Sequence, residues 1–135
     1  MQSRTQKVLL VLLLSYGAAS LIHFIHNAEF LTDYPNLPQS WSRTGVYLVW
    51  AGMTIVGVSG WLLIRRGYQR AGLLIVAVYA ALGIDSLGHY VLASLSAHTA
   101  AMNATILLEV ATAGVLFIET LRLLVLRVLG RAIQK

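Results

Sequence analysis

Histidine and carboxylate side chains are the groups in this sequence best able to bind a metal ion or move a proton, and their placement is uneven. His23, His26, His89 and His98, with Glu29, Asp33, Asp85 and Glu109, gather toward one side of a chain of apolar stretches. Glu119 is the exception, three residues before Arg122, where the two can pair along a helix. His23 and His26 are three apart, and Asp85 and His89 four apart. On an α-helix either spacing puts both side chains on one face. Imidazole and carboxylate ligands suit zinc, non-haem iron or manganese. The chain has no cysteine, which removes thiolate ligands, disulfides, thioether haem attachment and Cys nucleophiles together.

These residues lead to an expected metal site made from His23, His26, Asp85, His89 and Glu109. Asn27, His98, Asn103 and Glu29 would supply hydrogen bonds behind the ligands, or contacts to a substrate. A metal with an open position activates water, and Glu109 or Glu29 would then serve as general base. The corresponding enzyme is a metal-dependent hydrolase or oxidoreductase working within the membrane on a small apolar or lipid-like substrate; a metal-binding subunit without catalysis is the simpler form. Three other readings fit the same residues. Haem could be ligated by His23 or His26 with His89. Asp85, Glu109 and the histidines could exchange protons in small-molecule binding or transport. A hydrogen-bond network could fix helix register, with Asp85 paired to His23 or His89. The Glu-x-x-His repeats of carboxylate-bridged di-iron bundles are missing, as are a Ser-His-Asp order, a HExxH motif and a phosphate-cradling glycine loop.

The elements that must position these groups follow from composition. Of 135 residues, 58% are hydrophobic and 11% charged, with a mean hydropathy of +0.74. Soluble domains carry about 25% charged residues. The bilayer is the solvent such a chain requires, and its length allows about four spans of roughly 20 residues. Spans are expected near 8–30, 45–64, 71–94 and 100–126, in a single four-span domain over 1–135. Arg4 and Lys7 before the first stretch resemble the start of a signal peptide, but the apolar run through Leu21, Ile22, Phe24 and Ile25 is longer than a signal core, so a retained helix is expected. Asp33, Tyr34, Pro35, Asn36 and Pro38 mark the one sizeable loop.

Nine of ten basic residues, Arg4, Lys7, Arg65, Arg66, Arg70, Arg122, Arg127, Arg131 and Lys135, fall on one side of this arrangement, with Arg43 alone on the other. Basic residues are retained on the cytoplasmic side, so an all-α, integral membrane four-helix bundle with both termini cytoplasmic is expected, multi-pass in the cell membrane. The net charge of +5 lies between apolar runs and forms no patch for nucleic acid. The partners expected are membrane lipids, the small substrate and a second copy of the chain. Trp41, Tyr47 and Trp50, with Trp61 and Tyr68, fit aromatic belts at the two boundaries. Basic residues from Arg122 to Lys135 recur among Leu, Val and Ile, which fits a helix end along the inner leaflet.

Counting rise along each span places His23, Asp85 and Glu109 at one depth, roughly 22, 21 and 18 Å from the inner end, with His26, His89 and Asn103 in a second tier at roughly 27 Å. His98 and Glu109 are about 16 Å apart on a continuous helix. His98 could therefore join the site only if the chain before about residue 100 folds back as a loop.

Overall fold

The computed structural model describes residues 3–132, and side-chain surroundings for residues 4–127. Five α-helices are present among the described residues: α1 (Ser3–Glu29), α2 (Arg43–Arg65), α3 (Gln69–Ile84), the single turn α4 (His89–Leu92) and α5 (Ala100–Ala132). Short 3₁₀ segments lie at Leu31–Asp33, Asp85–Gly88 and Leu95–Ala97, and no strand occurs among the described residues. Among the described residues, four stretches are long and apolar enough to cross a membrane: Arg4–Glu29, Arg43–Arg65, Gln69–Leu92 and Ala100–Arg127. The third is composite, since α3 passes through the 3₁₀ segment into α4.

Local chemistry explains where these elements begin and turn. Ser42 caps α2 by accepting a hydrogen bond from the Gly45 amide at 3.1 Å. Thr99 does the same for α5, its hydroxyl accepting from the Met102 amide at 3.2 Å. The hairpin between α2 and α3 turns on Gly67, whose φ of +92° is costly for a residue with a Cβ. Past it, α2 and α3 pack antiparallel with their backbones nearly in contact: a Cβ on Gly72 would stand 2.6 Å from the Gly60 carbonyl oxygen. Small residues allow such an approach, which membrane helices need because lipid gives no hydrophobic drive to associate.

Each long helix packs on the next, and α5 closes the ring by contacting both α3 and α1. Leu9, Leu13, Tyr16, Leu73, Val76, Tyr79 and Leu116 fill the middle of the bundle. Tyr16 reaches across the ring to donate a hydrogen bond to the Tyr79 carbonyl at 3.2 Å. The outward faces are apolar: Leu14, Leu48, Ile55, Leu74 and Ile118 are all exposed. Exposure of this kind on every long helix is what a lipid-facing surface requires and a water-facing one avoids. Glu119 and Arg122 form the expected pair, two 2.7 Å contacts. The stretch from Arg122 is the continuation of α5 through Ala132; Arg131's side chain and Lys135 lie outside the described residues.

Candidate functional site

At the end of the bundle where the loop after α1 lies, histidines from three segments pack one against the next, and the first of them meets a buried carboxylate. Glu109 on α5 is wholly buried, and His23 on α1 stands opposite it, Nε2 to Oε2 at 3.7 Å. This contact joins two residues assigned to one depth from sequence. His89 on α4 packs edge-on against His23, ring centres 5.4 Å apart, and His98 lies 6.2 Å from His89. All three imidazoles are buried.

His98 arrives by the route that its spacing demanded. The chain between α4 and α5 is a loop, His98 is extended at φ −95° and ψ 145°, and its ring turns inward. Asn103 holds this loop, donating to the carbonyls of Leu95 and His98 at 3.1 and 3.4 Å while accepting from Tyr90 Oη at 2.9 Å. Asn103 therefore positions His98 and is itself committed to the loop.

Asp85 takes a different place from the one its spacing implied. Four residues on an α-helix return to within about 40° of the starting direction, but four at 3₁₀ pitch overshoot by about 120°. Because Asp85–Gly88 is 3₁₀, Asp85 and His89 diverge, and Asp85 is exposed on the wall of a cavity. Positions three apart now coincide, so Ser86 shares the face of His89. Ser86 Oγ donates to Glu109 Oε2 at 2.6 Å, the contact the α-helical spacing would have given to its neighbour.

Two further residues do not reach the centre. Glu29, at the end of α1, accepts from Tyr47 Oη at 2.7 Å and from Arg43 at 2.6 Å, which neutralises that guanidinium. His26 is half-buried and turns to Tyr34, whose hydroxyl donates to Nδ1 at 2.9 Å.

Tyr34 is the residue that sequence reasoning passed over as part of a turn. It is 4% exposed, and its ring lies between 5.1 and 6.5 Å from the rings of all four histidines. Met102 and Ile106 pack beneath it. Burial pushes its phenol up to about 12, so it remains a hydrogen-bond donor across the physiological range. An aromatic inside a Pro-flanked loop was the only signal available, and it does not distinguish a plug from a surface turn.

The hydrogen bonds define what the site lacks. Thr105 Oγ1 gives its proton to the Met102 carbonyl at 3.1 Å, so it receives Nδ1–H from His23 at 3.4 Å. The Nε2 lone pair of neutral His23 then faces a carboxylate oxygen. His98 donates Nδ1–H to the Ser94 carbonyl at 2.9 Å, leaving its Nε2 buried and unpartnered. Asn27 donates from Nδ2 to His89 Nε2 at 3.3 Å, and its Oδ1 has no partner. Glu109 Oε1 is unpartnered too, with the Ser20 hydroxyl nearby and also unpaired. Buried acceptors thus outnumber donors, a costly condition unless protons, a cation or a donor-bearing ligand supplies the deficit.

No group of three or more His, Asp or Glu side chains among the described residues is arranged so as to hold a metal ion. The rings of His23 and His89 touch, which leaves no gap between them for a porphyrin. Beside the polar group, a cavity of about 740 Å³ opens between α1, α2 and the third span. His23, Asn27, Asp85, Ser86 and His89 form one wall, and Val46, Val49, Met53 and Leu82 are among its apolar lining.

Compared with known protein families, with curated proteins and with solved structures, the chain matches none of them.

Proposed function

We propose that this chain is a multi-pass protein of the cell membrane, both termini cytoplasmic, that binds a small molecule in its outer cavity and exchanges a proton at the His23–Glu109 pair. The observation that carries the reading is the meeting of His23 Nε2 and Glu109 Oε2, two acceptors 3.7 Å apart with no donor between them, on a residue that also lines the cavity. A positive charge is needed there. A proton on either partner supplies it, and a bound molecule that changes the field or the hydration of His23 moves that proton. The orientation rests on the excess of basic residues at one end, against Arg43 alone at the other, where Glu29 holds it.

The test is infrared spectroscopy on protein in lipid nanodiscs. A protonated carboxylic acid band that Glu109→Gln removes supports the proton reading. Absence throughout the stability range of the protein both of that band and of an imidazolium band that His23→Ala removes overturns it.

A second reading is favoured by the same distance. Two ligand atoms on a tetrahedral zinc at about 2.0–2.1 Å lie roughly 3.4 Å apart, close to the His23–Glu109 separation. Zinc, iron or manganese held by these two, with His89 swinging in from beside them, would polarise a bound oxygen. Elemental analysis decides between the readings: a near-stoichiometric metal lost in both His23→Ala and Glu109→Gln establishes the metal site.

A further inference from the structure

We infer that the outer cavity selects an amphipathic amine, its ammonium head against Asp85 and Asn27 and its hydrocarbon body along Val46, Val49, Met53 and Leu82. The inference rests on the reading of this cavity as a small-molecule site and adds the chemistry of the ligand. At about 740 Å³ the cavity has the size of sites that enclose one drug-sized molecule. Its polar wall presents two acceptor groups without a partner. The Asp85 carboxylate has no hydrogen bond or ion pair among the described residues, and the buried Asn27 Oδ1 is without a partner.

Among the described residues no Lys or Arg lines the cavity, and Arg43, the nearest in sequence to that lining, is held by Glu29. An anionic head would therefore meet Asp85 uncompensated. An alcohol offers a single donor to several acceptors. An ammonium brings three donors and the opposite charge, and its attraction to Asp85 strengthens as apolar walls exclude water.

Trp41 also lines the cavity and provides the readout. In a Trp50→Phe, Trp61→Phe background it is the sole tryptophan, and a brominated long-chain alkylamine bound beside it quenches its fluorescence saturably. The matching bromoalcohol and bromoalkyl sulfate are the comparisons. The expected result is amine binding at least about tenfold tighter than alcohol, reduced about tenfold by Asp85→Asn while alcohol binding is unchanged. Asp85 is exposed, so this variant folds. Equal quenching by all three probes, or an amine affinity indifferent to Asp85→Asn, overturns the amine assignment and leaves the cavity. Failure of every probe to quench saturably overturns the cavity reading as well.

Discussion

Removing the Ser86 hydroxyl should cost this protein far more than removing the charge of Asp85, although the sequence alone argues for the reverse. Ser86 Oγ donates to Glu109 Oε2 at 2.6 Å, within the usual range for a hydroxyl–carboxylate bond, and Glu109 has no solvent exposure. Ser86→Ala strips the buried carboxyl of this donor and leaves Oε2 facing only the His23 lone pair. Loss of a buried hydrogen bond to such a group costs about 1–3 kcal/mol; the nearby Ser20 hydroxyl, by rotating to Glu109, sets the lower end. Asp85→Asn acts on an exposed side chain with no partner among the described residues, and such changes stay within about 0.5 kcal/mol. Reversible unfolding in mixed detergent micelles, followed by circular dichroism on both variants, measures the difference. If Asp85→Asn proves as damaging as Ser86→Ala, the 3₁₀ register of Asp85–Gly88 is wrong and a continuous helix aims Asp85 inward.

Tyr34→Ala should destabilise by about 3–5 kcal/mol, because it empties a closely packed site beneath the loop; the same variant should open His23, His89 and His98 to diethyl pyrocarbonate, read by peptide mass spectrometry. Tyr34→Phe keeps the ring and loses the bond to His26, a cost of about 1 kcal/mol below pH 10. Since the folded-state pKa of Tyr34 is raised from 10 to about 12, the unfolded chain loses the proton first, and the phenol's contribution falls as pH rises from 10 to 12, by roughly 1.4 kcal/mol per unit. Unfolding of the native protein and Tyr34→Phe across that range checks the sign: the native protein's advantage of about 1 kcal/mol should vanish within about one pH unit above 10 and then reverse. Gly72→Ala should weaken the α2–α3 contact by about 1–3 kcal/mol, since the new methyl meets backbone that cannot move alone. Asn103→Ala should raise labelling of His98 while leaving that of His23 low, because Asn103 ties down the loop and not α1.

The parts of the structure legible in the sequence are those with regular geometry over many residues. Apolar runs of the right length marked the four stretches now seen at Arg4–Glu29, Arg43–Arg65, Gln69–Leu92 and Ala100–Arg127, each within a few residues at its ends. Constant rise per residue then brought His23 and Glu109, 86 positions apart in sequence, to one level, and they meet. The i, i+3 pair Glu119 and Arg122 also formed. What failed was periodicity at the ends of helices. Asp85 lies one residue past the end of α3, where the pitch tightens and a 100° step becomes about 120°. His26 shares α1 with His23, but the loop offered it Tyr34 before any other histidine could.

The three departures from regular helix have a common setting. The 3₁₀ turn under Ser86, the loop that returns His98 and the tucked Tyr34 all occur at the end of the bundle that holds the buried polar atoms, while the opposite end closes with the compact Gly67 hairpin. A continuous helix at any of the three would have removed a group from the centre. An α-helical third span turns Ser86 away from Glu109; an earlier start to α5 lifts His98 about 1.5 Å per residue away from it; a longer α1 carries Tyr34 beyond His89. Backbone groups that lose their helical partners need others, and here Asn36 donates to the Leu92 carbonyl at 2.8 Å and Asn103 to that of Leu95. These asparagines satisfy the backbone that the breaks leave open. The donor-poor group of His23, His98, Asn27 and Glu109 is the arrangement those breaks build.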